Sequence, residues 1–348
     1  MCNHYYEYNN CSSEAKDIAL QKLEKLLPYC KMVLLNGYGE PFISRHFLKC
    51  LRLLQKYQVK AFVTTNLSVL TDEMCKIIPV VFEEINVSCN GYDKKSYEKI
   101  HRGLKYEVFS ANLSKLLSAC GSTKVSLSCV AMLETLPHAQ EFIRFAHEKG
   151  IEKVRFGRLG VNHFIRNYDQ DPFQYPQLAA YHMGKAKKLA DAYQIEMVFP
   201  ENYNIPVDDN ILANEIQKAD QIVFHYDGNY QKKLRDEFMD YYVKGIYGHL
   251  EHKLDTSDIV CYGICDWVAK GVYIDTQGDM YPCCESKYAK YGANWNGAVA
   301  KAVRNEFYTG RLPDFCKNCP FIINNELKML KCDKGHALYR PAGVIPIQ

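Results

Sequence analysis

The chain has 348 residues, 47% of them hydrophobic and 24% charged, with 15 cysteines and a formal net charge of +3. At roughly 150 residues per domain that is room for about two domains, although an α/β barrel can fill most of it alone, with core enough to fold without disulfides. The charges form no basic block, no apolar run reaches the ~18–20 residues of a membrane span, and the opening Met-Cys-Asn-His-Tyr-Tyr-Glu is no secretory signal. These features argue against nucleic-acid and membrane partners and predict a cytoplasmic protein whose odd cysteine count is no disulfide framework.

From about residue 13 to 200, helical and strand patterns alternate. Ser13 can cap a helix carrying Ile18, Leu20, Leu23, Leu26 and Leu27. A short, fully apolar strand at Met32–Leu35 follows, then a helix near 44–57 and the strand Ala61–Thr64. A helix at about 71–82 leads to Ile85–Ser88, and two helical stretches, 93–101 and 106–119, precede Val125–Met132. Pro137 opens a helix that stops at Gly150 before Val154–Phe156. A helix at 176–193 then leads to Ile195–Phe199. Apolar strands separated by amphipathic helices predict βαβ units and a parallel sheet, either doubly wound or a partial or full barrel. In both, ligands sit at the C-terminal ends of the strands. Polar and glycine-rich tips fall there: Asn36–Pro41, Thr65-Asn66, Cys89-Asn90-Gly91 and Gly157–Gly160.

Residues 200–258 lose the alternation and are rich in Tyr, Asp and Asn; one helix is expected at 229–244 in this bridge or insertion. The cysteines divide unevenly. Eight lie singly between Cys2 and Cys129, and seven crowd into Cys261–Cys332. Within that cluster Gly271–Pro282 reads as a hairpin turning at Gln277-Gly278-Asp279, which brings Cys265 and Cys283 towards each other; Cys316-Lys-Asn-Cys319 supplies two more thiols. Four thiolates suit zinc or an iron–sulfur cluster, and ligand type alone does not choose between them.

Together these residues resemble the radical S-adenosylmethionine (radical SAM) superfamily, in its branch with a C-terminal SPASM-type auxiliary-cluster domain. Gly37-Tyr38-Gly39-Glu40-Pro41 is similar to the family's Gly-Gly-Glu-Pro motif, which binds the amino group of SAM. Thr65-Asn66 stands where the family often has Thr-Asn-Gly, with Leu67 in place of the glycine. Ser88, in the fourth-strand segment, and Gly157, on the sixth-strand tip, are the other expected SAM contacts. Cys265, Gly278, Cys283 and Cys316-x-x-Cys319 follow the SPASM spacing, but Asn325 stands where a further cysteine would continue it. The resemblance thus implies one auxiliary [4Fe–4S] cluster on Cys265, Cys283, Cys316 and Cys319, with Cys261, Cys284 and Cys332 as extra candidates.

One departure bears on activity. The family's catalytic cluster uses Cys-x-x-x-Cys-x-x-Cys ahead of the Gly-Gly-Glu-Pro strand, and here only Cys2 occupies that neighbourhood. The reading is that Cys2 is the third cysteine of that motif and Met1 an internal methionine, with the first strand and two cysteines missing. The implied fold is a partial (β/α)6 TIM-like barrel over 1–199, a bridge over 200–258, a cysteine-rich SPASM/twitch-like domain over 259–335 and a tail over 336–348. The implied activity is hydrogen abstraction from a peptide, protein or small metabolite by a radical generated from SAM, fed by a donor such as flavodoxin or ferredoxin, and inactive in the truncated chain. No catalytic side chain is assigned. The alternative is a non-catalytic scaffold holding zinc or an iron–sulfur group on its cysteines.

Overall fold

The computed structural model describes residues 13–36, 39–159 and 172–222, and then 260–261, 268, 271–275, 277–283, 290–292, 296–308, 313, 316, 328–331 and 337–340. From the N-terminus run α1 (Ser13–Leu26), β1 (Met32–Leu35), α2 (Phe47–Lys56), β2 (Lys60–Thr65), α3 (Asp72–Val81), β3 (Phe82–Ser88) and α4 (Lys94–Ile100). There follow α5 (Tyr106–Ala119), β4 (Lys124–Ala131), α6 (Ala139–Glu148), β5 (Lys153–Arg158), α7 (Pro176–Ala192), β6 (Glu196–Val198) and α8 (Asp209–Ala219). Local chemistry sets the helix starts. Thr71 caps α3 by accepting from the Met74 amide at 3.2 Å, with Asp72 and Glu73 in the first turn facing the helix dipole. Asp93 and Ser96 form a reciprocal capping box on α4.

The six strands pair in parallel in the order β1-β2-β3-β4-β5-β6. A doubly wound sheet reverses its strand order; this one never does. Right-handed crossovers in a monotonic order put every connecting helix on the same face, so the sheet is singly wound, as in a partial barrel. On the helix side, Val63, Ile85, Val87, Leu127, Val154 and Phe156 are buried against Leu51, Leu54, Ile78, Leu113, Leu116, Ile143 and their neighbours. At ~25 cal/mol per Å² of apolar surface removed from water, this layer is the main stabilising element of the sheet.

The strands differ from the expected apolar runs. Register places Phe62 beside Glu84, Thr64 beside Asn86, Asn86 beside Ser126, and Ser88 beside Ser128, all on the face away from the helices. Met32 and Leu34, in register with Lys60 and Phe62, share that face and are each 44% exposed. Each strand alternates because side chains alternate, and one-sided helix cover leaves the second face for polar groups. A second difference is α8, a helix in the segment read as irregular; Asp208 caps it by accepting from the Asn210 and Ile211 amides at 2.9 and 3.1 Å. The helix expected at 229–244 lies outside the described residues.

The chain divides into two compact units: Leu26–Met239 with Met1–Tyr8, and Asp240–Gln348 with Asn9–Lys25. The second contains β7 (Val260–Cys261), the antiparallel hairpin β8 (Tyr273–Ile274) and β9 (Met280–Tyr281), α9 (Ala298–Tyr308), and the antiparallel pair β10 (Lys328–Lys331) and β11 (Ala337–Arg340). β11 also pairs in parallel with β7. The hairpin turn is closed by Asp275, whose carboxylate accepts from the Gln277 and Asp279 amides at 2.9 and 2.8 Å. Gly278 sits there at φ 78°, and a Cβ on it would lie 3.2 Å from the backbone of Ala19, so α1 packs directly on the turn. Lys22 donates to the Gly278 carbonyl from the same helix. Among the described residues no helix is long and apolar enough to cross a membrane.

Candidate functional site

The C-terminal rim of the sheet is organised by Glu40. It caps the 3-10 turn Pro41–Ile43, accepting from the Phe42 amide at 3.1 Å. The same carboxylate accepts the Thr65 hydroxyl and the Asn66 amide, each at 2.6 Å, at the end of β2. One side chain therefore ties the loop after β1 to the loop after β2. Burial raises the Glu40 pKa above the ordinary carboxylate range, and the three donors offset part of that rise. Asn36 adds a second tie, its side-chain oxygen accepting from the Thr64 amide at 3.0 Å. Gly39 takes φ 103°, a conformation suited to glycine; Gly37 and Tyr38 lie outside the described residues.

Leu67 completes the second tip. It adopts φ 55°, the left-handed region that a glycine would enter freely, and donates its amide to the Thr65 hydroxyl at 2.9 Å. Its carbonyl accepts from Asn112 at 2.9 Å, and its side chain is fully buried. The third tip is held by Asn90. Its side-chain oxygen accepts from the Val130 amide at 2.7 Å, joining the ends of β3 and β4. Its amide donates to His101 Nε2 at 3.0 Å. His101 is half-buried, stacked on Tyr97 at 4.4 Å, and desolvation pulls its pKa down to about 4, so it is a neutral acceptor.

Ser88 lies half-buried on the polar face beside Ser128, and no described residue bonds its hydroxyl. Gly157 is exposed on that same face, in register with Val130, and a Cβ there would meet nothing within 4 Å. The described packing does not require a glycine at 157. The polar face itself escaped the sequence reading. Asn86 donates to Ser128 at 3.1 Å, and Ser126 lies 2.6 Å from Glu84 Oε1. Arg155 pairs with both oxygens of Glu84, at 2.9 and 3.2 Å. Burial pushes the Glu84 pKa up, but Ser126 and Arg155 together outweigh it and hold the carboxylate below its usual range. The available signal was the two-residue period of Glu84, Asn86 and Ser88 and of Ser126 and Ser128.

The second unit presents Cys283 just after β9 and Cys316 on a turn whose amide donates to Pro313 O at 2.8 Å. Both thiols are half-buried, and neither is in a disulfide. Tyr291 is anchored to the same hairpin by its amide, which donates to Met280 O at 2.7 Å. Its hydroxyl is buried and has no hydrogen-bond partner. Burial pushes the Tyr291 pKa up to about 12; the nearby charge of Arg304 opposes this, and negative charge on Cys283 and Cys316 adds to it. Of the other expected ligands, Cys2, Cys265, Cys319, Cys284 and Cys332 lie outside the described residues, and Cys261 is seen only as backbone of β7. Among the described residues no group of three or more His, Cys, Asp or Glu side chains forms a metal site.

No family model matches the chain, and no curated protein does. Solved structures do. SuiB of Streptococcus suis, bound to its precursor peptide SuiA, superposes with a TM-score of 0.50 at 13% identity, covering 87% of this chain and 63% of SuiB. The chain thus spans less than two thirds of SuiB's length. Native anSMEcpe with bound AdoMet (S-adenosylmethionine) and the Cp18Cys peptide superposes with a TM-score of 0.52 at 12% identity, covering 92% of this chain and 82% of that one. Its complex with AdoMet and the Kp18Cys peptide gives 0.51 at 12% identity, covering 91% and 80%. These neighbours are radical SAM enzymes, and at such identities the likeness is one of fold.

Proposed function

We propose that this chain is a radical SAM-type protein whose sheet rim binds S-adenosylmethionine and whose C-terminal unit carries a cysteine-ligated iron–sulfur group of SPASM type. The observation that carries the reading is the Glu40 clamp at the C-terminal rim of a singly wound sheet. Its carboxyl group is committed to holding two loops, so backbone carbonyls of the Asn36–Pro41 loop would receive the methionine ammonium, with the half-buried Glu40 side chain behind them. Ser88 and the open space at Gly157 would take the ligand's polar remainder. Cys265, Cys283, Cys316 and Cys319 would hold the auxiliary cluster; Cys283 and Cys316 are half-buried and in no disulfide, which supports that role.

With its catalytic cluster and SAM bound, a protein of this type gains one-electron reductive chemistry and hydrogen-atom abstraction. The protein's part is to fix the ligand and keep water away. A peptide, a protein side chain or a small metabolite would be the substrate; the two neighbouring enzymes captured with peptides support the first. A flavodoxin or ferredoxin would be the electron donor.

The test is calorimetric titration of SAM into the chain reconstituted anaerobically with iron and sulfide. Saturable binding is expected, weakened at least tenfold in Glu40→Ala, which corresponds to about 1.4 kcal/mol. A colourless chain that binds stoichiometric zinc and no SAM establishes the non-catalytic scaffold instead.

A further inference from the structure

We infer that Arg155 receives a carboxylate of the molecule to be modified, with Ser128 beside it as a second donor. The inference rests on the reading of the sheet rim as a SAM site and deepens it by naming the substrate class. Register puts Ser88, Ser128 and Arg155 in one row across β3, β4 and β5, on the face that the helices leave uncovered. Neighbouring strands lie ~4.8 Å apart, so adjacent side chains of such a row can hold one small group together.

The guanidinium is only partly used. Nη2 carries the whole pair with Glu84, 2.9 and 3.2 Å from its two oxygens. Nε is buried without a hydrogen-bond partner, and among the described residues no acceptor meets Nη1. Arginine carries its donors in a rigid fork, and buried donors left unmade are rare enough to point to a group that binds there. The side chain is still 31% exposed, so a ligand can reach it. Ser128 offers a second donor: its oxygen accepts from Asn86 Nδ2 at 3.1 Å, and no described residue takes its proton. The charges on this face favour a single anion. In the rows that hold Glu84, Asn86 and Ser88, the charged groups are Glu84, Lys124, Lys153, Arg155 and Glu196. Arg155 pairs with Glu84 at 2.9 Å and Lys153 with Glu196 at 2.7 Å, while Lys124 has no acidic partner among the described residues. One carboxylate balances that remaining charge, and its planar oxygens match the free edge of the fork. It can come from an acidic side chain of a peptide or from a free carboxylic acid.

The experiment is calorimetric titration of two acid probes into the full chain: glutarate, and a blocked tripeptide with a central glutamate. Each is compared with its amide counterpart, with and without saturating SAM. Acid is expected to bind roughly tenfold tighter than amide, the worth of one hydrogen bond to a charged group, whether or not SAM is present. Tighter binding of the tripeptide identifies a peptide side chain as the source, and tighter binding of glutarate a free acid. The preference should vanish in the double variant Glu84→Gln, Arg155→Gln, where two amides replace the ion pair and neither charge is left unpaired. Ser128→Ala should weaken it while the melting temperature holds. Equal affinity for acid and amide, or a preference that survives the double variant, overturns the inference. Competition by SAM assigns Arg155 to SAM's own carboxylate and overturns it too. A chain that binds SAM and neither acid overturns this inference alone. One that binds the acids through Arg155 and no SAM keeps the carboxylate site and overturns the SAM reading.

Discussion

Leu67 meets two demands that pull in opposite directions. Its φ of 55° costs an L-residue about 1–2 kcal/mol, while its fully buried side chain, if removed, would cost about 3–5 kcal/mol in transfer and cavity terms. Burial wins, which is why leucine persists where glycine would be unstrained. Leu67→Gly is expected to lower stability by roughly 1–4 kcal/mol in urea unfolding; a variant as stable as the parent would mean that strain dominates. His101 gives a pH-dependent expectation. Its pKa falls from 6.5 to about 4 because burial disfavours the charged ring, whose Nε2 accepts from the Asn90 amide. Between those values the unfolded chain binds more protons, so stability is complete above pH 6.5 and is lost as pH falls towards 4. The loss approaches about 3 kcal/mol. His101→Gln should flatten the slope of unfolding free energy over that range. An unaltered slope would transfer the effect to other groups such as His182, which burial also brings to about 4.

At the scale of elements, the tip after β3 and helix α4 are fitted backbone to backbone. A Cβ on Gly91 would lie 2.1 Å from the Tyr97 amide nitrogen and 2.5 Å from the Ser96 carbonyl carbon, atoms that move only if the helix moves. Tyr97 on that helix stacks on Phe109 at 4.5 Å as well as on His101, so a displaced α4 would disturb the whole aromatic group. Gly91→Ala should therefore cost about 3 kcal/mol or more, far above an ordinary turn substitution, in thermal or urea unfolding. A melt like the parent's would refute the fit. In the sequence Gly91 looked like one more turn residue, since nothing local reports a helix backbone arriving from five residues on. Helix α8 was illegible for another reason: its buried face is only Leu212 and Glu215, too thin a stripe to show a period. Its Asp208 cap was the readable sign.

For the molecule as a whole, alternating strand and helix patterns are compatible with two windings, and the monotonic strand order selects one of them. That choice puts all helices on one face and creates the polar face that carries Ser88, Asn86 and the Glu84–Arg155 pair. In the second unit Val268, Met280, Tyr291, Ala300 and Val303 are buried apolar residues among those described, as are Pro282 and Pro313. A metal centre on the proposed cysteine ligands would add to the stability of this unit. The double variant Cys283→Ser, Cys316→Ser should accelerate limited proteolysis within 240–348 while Leu26–Met239 persists as a resistant fragment. Equal cleavage of parent and variant under metal-loaded conditions would remove that role from the two cysteines.

What the sequence by itself determined is local: where helices and strands lie, which loops carry Glu40, Thr65-Asn66 and Asn90, and that Gly278 turns a hairpin ahead of Cys283. Periodicity, caps and turn residues act over a few positions, and so they are written in neighbouring letters. Tertiary structure alone decided that Glu40 closes on Thr65 and Asn66 across two loops. It also decided that α1 packs on a turn more than two hundred residues away. Those meetings depend on strand order and on the accumulated geometry of the chain between them, which no short window of sequence contains.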